Sequence, residues 1–230
     1  MSDQANYHPI WDEIYETKTA PMKYPHESVI RFVMIYHPRT KPRSESRILE
    51  VGCGMGNNLW YCAREGFQVV GMDAAPLAIE YARERFAEEG LAGEFHVARF
   101  GELPFPDASF DLVIDQGGLT CAGRGVAAEA IREIRRVLTP AGKFLFTPFS
   151  KTDTSAHSGE PGPDDTVVNI RAGTVLGRGH ICFYDRADLE NTMGKGWKVL
   201  AAEHHQMVDE ATPDRTQRST WRVIAEKTEA

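Results

Sequence analysis

The chain has 230 residues, 42% of them hydrophobic, and a formal net charge of −7. That length suits a single α/β domain, and no apolar stretch approaches the roughly 20 residues of a membrane helix or forms the apolar core of a secretion signal, so a cytoplasmic protein with no membrane partner is expected. Lys and Arg are scattered rather than clustered, which speaks against nucleic acid, and Cys53, Cys62, Cys121 and Cys182 form no CxxC pair, which speaks against both a disulfide framework and a zinc cage.

Residues 1–44 are rich in aromatics and proline (Trp11, Tyr15, Tyr24, Pro25), with a helical apolar set at Val29, Phe32, Val33 and Tyr36. They read as an N-terminal helical lid over a ligand, or as an arm stapling the first helix to the sheet. From residue 47 short apolar runs alternate with helical patterns. Ile48 to Val51 and Val69 to Met72 are buried parallel strands, with a helix through Leu59 and Cys62 between them. Pro76 stands at a first helical position ahead of Leu77, Ala78, Tyr81, Ala82 and Phe86.

Phe95 to Ala98 and Leu112 to Ile114 supply two further strands. Val126, Ala130, Ile134, Val137 and Leu138 share one helix face, which Pro140 and Gly142 are expected to close, and Phe144 to Thr147 is a fifth strand. Residues 148–186 break this rhythm and read as a disordered crossing or a loop shaping a substrate pocket. A short helix near Ala187 to Met193 and strands at Trp197 to Ala202 and Trp221 to Ala225 complete the chain. The expected architecture is α/β: a doubly wound, seven-stranded, mostly parallel, Rossmann-like sheet with a C-terminal antiparallel hairpin. It divides into a lid (1–44), a binding core (45–147), a substrate loop (148–186) and a C-terminal helix with edge strands (187–230).

The chemistry concentrates in Glu50-Val51-Gly52-Cys53-Gly54-Met55-Gly56-Asn57. A strand ends at an acid, and glycines at alternate positions let backbone amides approach a ligand without Cβ obstruction. Asp73, followed by Ala74, closes the next strand, where a carboxylate can accept from both hydroxyls of a ribose. A dinucleotide fingerprint needs G-x-G-x-x-G, but counting from Gly52 the last position is Asn57 and counting from Gly54 it is Leu59. Glu50 would also sit badly beside a pyrophosphate and well beside a cationic group. A nicotinamide-dependent oxidoreductase is therefore the weaker alternative.

The run Glu50 to Gly56 resembles the first motif of class I S-adenosylmethionine-dependent methyltransferases. Leu103-Pro104-Phe105-Pro106-Asp107-Ala108-Ser109-Phe110-Asp111 and Glu133-Ile134-Arg135-Arg136-Val137-Leu138 resemble later segments of its small-molecule branch. The resemblance implies S-adenosylmethionine as cofactor. Glu50 and the loop Gly52, Cys53, Gly54, Gly56 and Asn57 would hold its methionine portion, and Asp73 with Ala74 the ribose. It further implies that Phe100 and Gly101 flank the adenine and that Asp115, Gln116 and Gly117 line the pocket beneath the methyl group. Similar enzymes need a lid when the substrate is small, so Trp11, Tyr15 and Tyr24 are read as closing over the cofactor, the alternative being that they only staple the first helix to the sheet. Arg99 stands where the family commonly has an adenine-binding Asp; Arg cannot accept a hydrogen bond, so the backbone or Glu102 takes that role.

The expected function is methyl transfer to an oxygen or nitrogen of a small metabolite, the alternative being a catalytically silent module that binds the adenosyl nucleoside. His180, beside Gly177-Arg178-Gly179, is the candidate base, against the reading that it packs a loop end. Arg171, Arg178 and Arg186 are candidates for receiving an anionic group, against the reading that they are solvated surface residues. No metal site is expected, and the sequence carries no signal for the oligomeric state.

Overall fold

The computed structural model describes residues 8–17, 23–211 and 213–228. Its elements run α1 (Ile10–Glu16), α2 (Glu27–Tyr36), β1 (Arg47–Val51), α3 (Asn57–Arg64), β2 (Gln68–Asp73), α4 (Pro76–Glu88), β3 (Glu94–Val97), β4 (Phe110–Asp115), α5 (Arg124–Val137) and β5 (Leu138–Phe146). There follow β6 (Glu160–Pro161), β7 (Thr166–Val168), β8 (Ile181–Cys182), α6 (Arg186–Met193), β9 (Trp197–Val208) and β10 (Gln217–Lys227).

The main sheet has the order β3-β2-β1-β4-β5-β10-β9. The first five strands pair in parallel; β10 pairs antiparallel with both β5 and β9, so it alone opposes the other six. Strand order reverses between β1 and β4, and at such a reversal the connections leave to opposite faces and open a crevice at the strands' carboxyl ends.

Both sheet faces are covered, which is why the central strands are continuous apolar runs rather than alternating ones. Leu49 and Val51 face a cluster with Ala130, Ile131 and Ile134 of α5, while Ile48 faces α2, α3 and α4 through Phe32, Leu59 and Ile79. Each such buried aliphatic side chain contributes about 1.5–3 kcal/mol relative to exposure. Among the described residues no helix is long and apolar enough to cross a membrane.

Three expectations are revised. Pro140 and Gly142 do not close the helix before them: α5 ends at Val137, Leu138 is already extended, and both residues lie within β5. The 1–44 segment is not lid throughout, because Val29, Phe32 and Val33 of α2 are fully buried against the sheet; among the described residues of the segment, the crevice is lined by Trp11 and Tyr15 of α1 and by His26, with Tyr15 packed on Ala75 and Ala78. The 148–186 segment is ordered: β6, β7 and β8 form a small antiparallel sheet with a core of Ile170, Val175, Ile181 and Phe183. Asp153, fully buried, fastens this unit to β10, accepting from the backbone N–H of Ser155 (2.8 Å) and Ser219 (3.0 Å) and from Thr174 Oγ1 (3.1 Å).

Candidate active site at the strands' carboxyl ends

The turn after β1 has Gly52 at φ +67°, Gly54 at +52° and Gly56 at +73°, a conformation that costs other residues about 1–2 kcal/mol each. At Gly52 a Cβ would lie 3.0 Å from Gly118 Cα, so the turn leaves no room for a side chain there. The end of β2 locks this turn in place. Cys53 N–H donates to the Met72 carbonyl (2.9 Å), and Gly54 N–H to Asp73 Oδ2 (2.9 Å). Asp73 Oδ1 accepts from Ala75 N–H (2.9 Å), and each of its oxygens keeps a lone pair for a ligand hydroxyl.

Glu50, the penultimate residue of β1, and Asp115, the last of the neighbouring β4, are both buried. Glu50 Oε1 accepts from Asn58 Nδ2 (2.6 Å) and Asp115 Oδ1 from Leu119 N–H (2.7 Å), while Glu50 Oε2 and Asp115 Oδ2 have no hydrogen-bond partner among the described residues. Burial pushes Glu50 up to about 8 and Asp115 up to about 7; the Asn58 bond opposes the shift of Glu50, and Asp115 and Asp73 add to it. Burial raises Asp73 as well. Three carboxyls at one end of a crevice, two with an orphaned oxygen, leave an electrostatic deficit that a cationic ligand would fill. The residues present therefore fit a sulfonium- and ammonium-bearing nucleoside.

A cavity of about 460 Å³ opens here; Gly52, Asp73, Ala74, Phe100, Gln116, Gly117 and Thr147, at or just after the ends of the parallel strands, are in its lining. The added segments contribute the part called the mouth below: Trp11 of α1, Phe149 and Arg178 of the 148–186 unit, and Arg218 and Thr220 of β10. A smaller cavity of about 120 Å³ adjoins it, lined by Glu50, Cys53, Gly54, Asn57 and Asn58. Tyr15, His26, Gly52 and Gln116 line both and so mark their junction.

The remaining candidates lie elsewhere. Gly56 turns the chain into α3, and Asp115 is fully buried and lines neither cavity, its neighbours Gln116 and Gly117 lining the larger one. Gly101 and Glu102 line neither cavity, and Glu102 is exposed. Tyr24 is exposed, its ring edge against Trp60, and also lies outside both. His180 is buried with its ring edge against His8 at 5.2 Å, lines neither cavity, and has Nε2 unpartnered; burial, then His8, hold its pKa below the ordinary histidine value.

Arg171 and Arg186 pair with Glu160 and Glu190 on the surface, and of the three candidate arginines only Arg178 reaches the cavity. Residues the sequence reading did not single out are His26, Asn58, Phe149, Arg218 and Thr220. Among the described residues no group of three or more His, Cys, Asp or Glu could hold a metal ion.

Residues 48–142 match the family model of a methyltransferase domain. The chain is 31% identical over 120 residues to an uncharacterized methyltransferase, YodH, of Bacillus subtilis, covering 52% of this chain and 50% of that protein. It is 29% identical over 170 residues to a sarcosine/dimethylglycine N-methyltransferase of Aphanothece halophytica, covering 71% and 57%. The chain thus spans about half the length of the curated relatives it matches. Its fold superposes with a TM-score of 0.64 on the 1,6-didemethyltoxoflavin-N1-methyltransferase of Burkholderia thailandensis, solved with S-adenosylhomocysteine bound, at 17% identity over 94% of this chain and 85% of that one. The matched stretch holds the glycine turn and the acids Glu50, Asp73 and Asp115, so the part of the chain that is similar to a methyltransferase domain is the part that builds the strand-end site.

Proposed function

We propose that this protein transfers a methyl group from S-adenosylmethionine to an oxygen or nitrogen of a small, anionic metabolite in the cytoplasm. The observation that carries the proposal is a pair of adjoining cavities whose lining includes the carboxyls Glu50 and Asp73 and the guanidiniums of Arg178 and Arg218. The acidic end suits a cationic nucleoside and the basic end an anion. When bound, the cofactor supplies an electrophilic methyl carbon on a positively charged sulfur.

The chain's own work is to hold and orient. Asp73 would accept the ribose hydroxyls, Glu50 with its orphaned oxygen would receive the cationic portion, and Phe100 would pack the base. Trp11 and Tyr15 of α1 would exclude water from the junction, where alignment of the two reacting atoms can lower a barrier by up to about 7–11 kcal/mol. In this reading residues 45–147 hold the cofactor, while α1, the 148–186 unit and β10 hold the acceptor. The Aphanothece relative, named for N-methylation of small amino acids, supports an acceptor of this size and charge.

Calorimetry with S-adenosylhomocysteine tests the cofactor site: binding is expected, and binding of a nicotinamide dinucleotide in its place would overturn the reading. Methyl transfer is then assayed on a panel of small acids, alcohols and amines. Cofactor binding with no turnover across that panel would leave only a nucleoside-binding module.

A further inference from the structure

The mouth of the larger cavity gathers groups for which the cofactor has no use. Arg178 and Arg218 line it, and among the described residues neither makes an ion pair or donates a hydrogen bond to a carboxylate. The contrast is local, since Arg171, Arg186, Arg215 and Arg222 nearby all pair with glutamates. In a chain of net charge −7, two unpaired guanidiniums over one cavity form an anion receptor. Arg178 lies over the Trp11 ring, 6.0 Å from its centroid, and Phe149 supplies a second aromatic wall.

His26 lies at the junction of the two cavities, immediately before α2. Its backbone N–H donates to Asn58 Oδ1 (2.9 Å), and Asn58 in turn donates to Glu50. Two residues on, Ser28 Oγ donates to Gln116 Oε1 (2.7 Å). The start of α2 is thus pinned from two sides, while neither ring nitrogen of His26 has a hydrogen-bond partner among the described residues. An imidazole held by its backbone, with a free ring, at the border between a cofactor chamber and an anion mouth is placed to take a proton from an acceptor.

We infer that the acceptor is a small hydroxylated carboxylic acid, its carboxylate received by Arg218 and Arg178 and its hydroxyl proton taken by His26. This rests on the methyltransferase reading above and goes further by naming the acceptor class and the base. The acceptor oxygen forms the new O–C bond with its lone pair, the C–S bond breaks with its electrons staying on sulfur, and the hydroxyl proton passes to the imidazole and then to water.

Burial, and after it the charge of Arg218, hold the His26 pKa below the ordinary histidine value, so the ring is a free base at neutral pH. The charged or titratable groups that line the two cavities with it are Arg178 and Arg218 on the mouth side, Glu50 and Asp73 on the cofactor side, and Tyr15, Cys53 and Cys121. A carboxylate seated on Arg218 offsets the depressing charge and strengthens the base as the acceptor arrives. No histidine other than His26 lines either cavity among the described residues.

The test uses the full chain saturated with S-adenosylhomocysteine, titrated with the three hydroxybenzoates, lactate, the matching hydroxybenzamides and phenyl phosphate. At least one carboxylate binds more tightly than its neutral amide, and R218Q and R178Q each weaken it about tenfold while leaving the amide unchanged. Imidazole NMR shows the His26 resonance titrating at higher pH in R218Q and when that carboxylate is bound. With S-adenosylmethionine and the same carboxylate, H26N lowers kcat about 100-fold and removes the acidic limb of the pH profile, with S-adenosylhomocysteine affinity unchanged.

Carboxylates binding no better than amides, preference for phenyl phosphate, or an H26N variant with full kcat each overturns the inference and leaves the methyltransferase reading standing. Failure of S-adenosylhomocysteine to bind overturns that reading itself.

Discussion

The two ends of the cavity are built in opposite ways. At the cofactor end, Asp73 and Asp115 each close a parallel strand, Glu50 is the penultimate residue of another, and the glycine turn comes directly after that strand. At the mouth and the junction below it, Trp11, His26, Phe149, Arg178 and Arg218 come from four separate segments of chain: α1, the start of α2, the 148–186 unit and β10. One end is a local pattern repeated along the chain, and the other exists only once distant segments have packed. The first end is therefore fixed by the sheet, whereas the second depends on how firmly the added segments are held.

The harshest way to break this comparison is to cut the tie holding the mouth. Asp153→Ala leaves three donors bare in a buried place, at about 1–3 kcal/mol each, and is expected to lower the melting temperature by several degrees. If the mouth is separate from the cofactor end, S-adenosylhomocysteine affinity in the folded variant, read by calorimetry, stays within about threefold.

Asp73→Ala strikes the other end. Loss of its charged hydrogen bonds is expected to weaken S-adenosylhomocysteine binding by about 1–3 kcal/mol while sparing hydroxybenzoate binding through Arg218. Unchanged nucleoside affinity in a folded Asp73→Ala protein would mean that the ribose lies elsewhere.

A smaller effect follows from the raised carboxyls. Glu50 at about 8 and Asp115 at about 7 retain protons in the fold that the unfolded chain has already released. Stability of the free protein therefore falls as pH rises from about 5 to 8, because over that range the folded state binds more protons. Glu50→Gln removes one of these groups and should flatten the slope, and S-adenosylmethionine should bind more tightly as pH rises through Glu50 deprotonation. Melting curves at several pH values check the first, and calorimetry in buffers of different ionisation enthalpy checks the proton released on binding.

The smallest effect is expected at Arg171. Its ion pair with Glu160 is exposed, so Arg171→Gln should change stability by less than about 1 kcal/mol and leave anion binding intact.

The same contrast explains what could be read from the sequence. The strand runs, the spacing Gly52, Gly54, Gly56 and the acids Glu50 and Asp73 depend on neighbours close in the chain, and they fall where local patterning puts them. His180 was the candidate base because it stands beside a glycine-rich stretch where a loop should rejoin the core. That stretch instead belongs to a unit with its own small core, which turns His180 against His8.

His26 carried no comparable signal, since a histidine ahead of a helix gains meaning only through Asn58 and Gln116, 32 and about 90 residues away. Arg218 was hidden for a different reason. Reading the last strand from Trp221 omitted its first four residues, which extend past the carboxyl end of β5, pair with β9 and meet the 148–186 unit at the bridge between Thr220 and Phe149 and at the bond from Ser219 N–H to Asp153.

That overhang has a consequence for how such a protein can change. Because β10 runs against its neighbours, one half, Val223–Glu226, is committed to pairing with β5 while the half carrying Arg218 and Thr220 lies above the crevice. In that half the backbone still pairs with β9 and holds Asp153 through Ser219, while the side chains at 218 and 220 line the cavity. Substitutions at 218 and 220 can retune which molecules are accepted without disturbing the pairing that keeps the barrier-lowering end intact, so the hairpin is a natural place for paralogues to diverge and for a library aimed at new acceptors to begin.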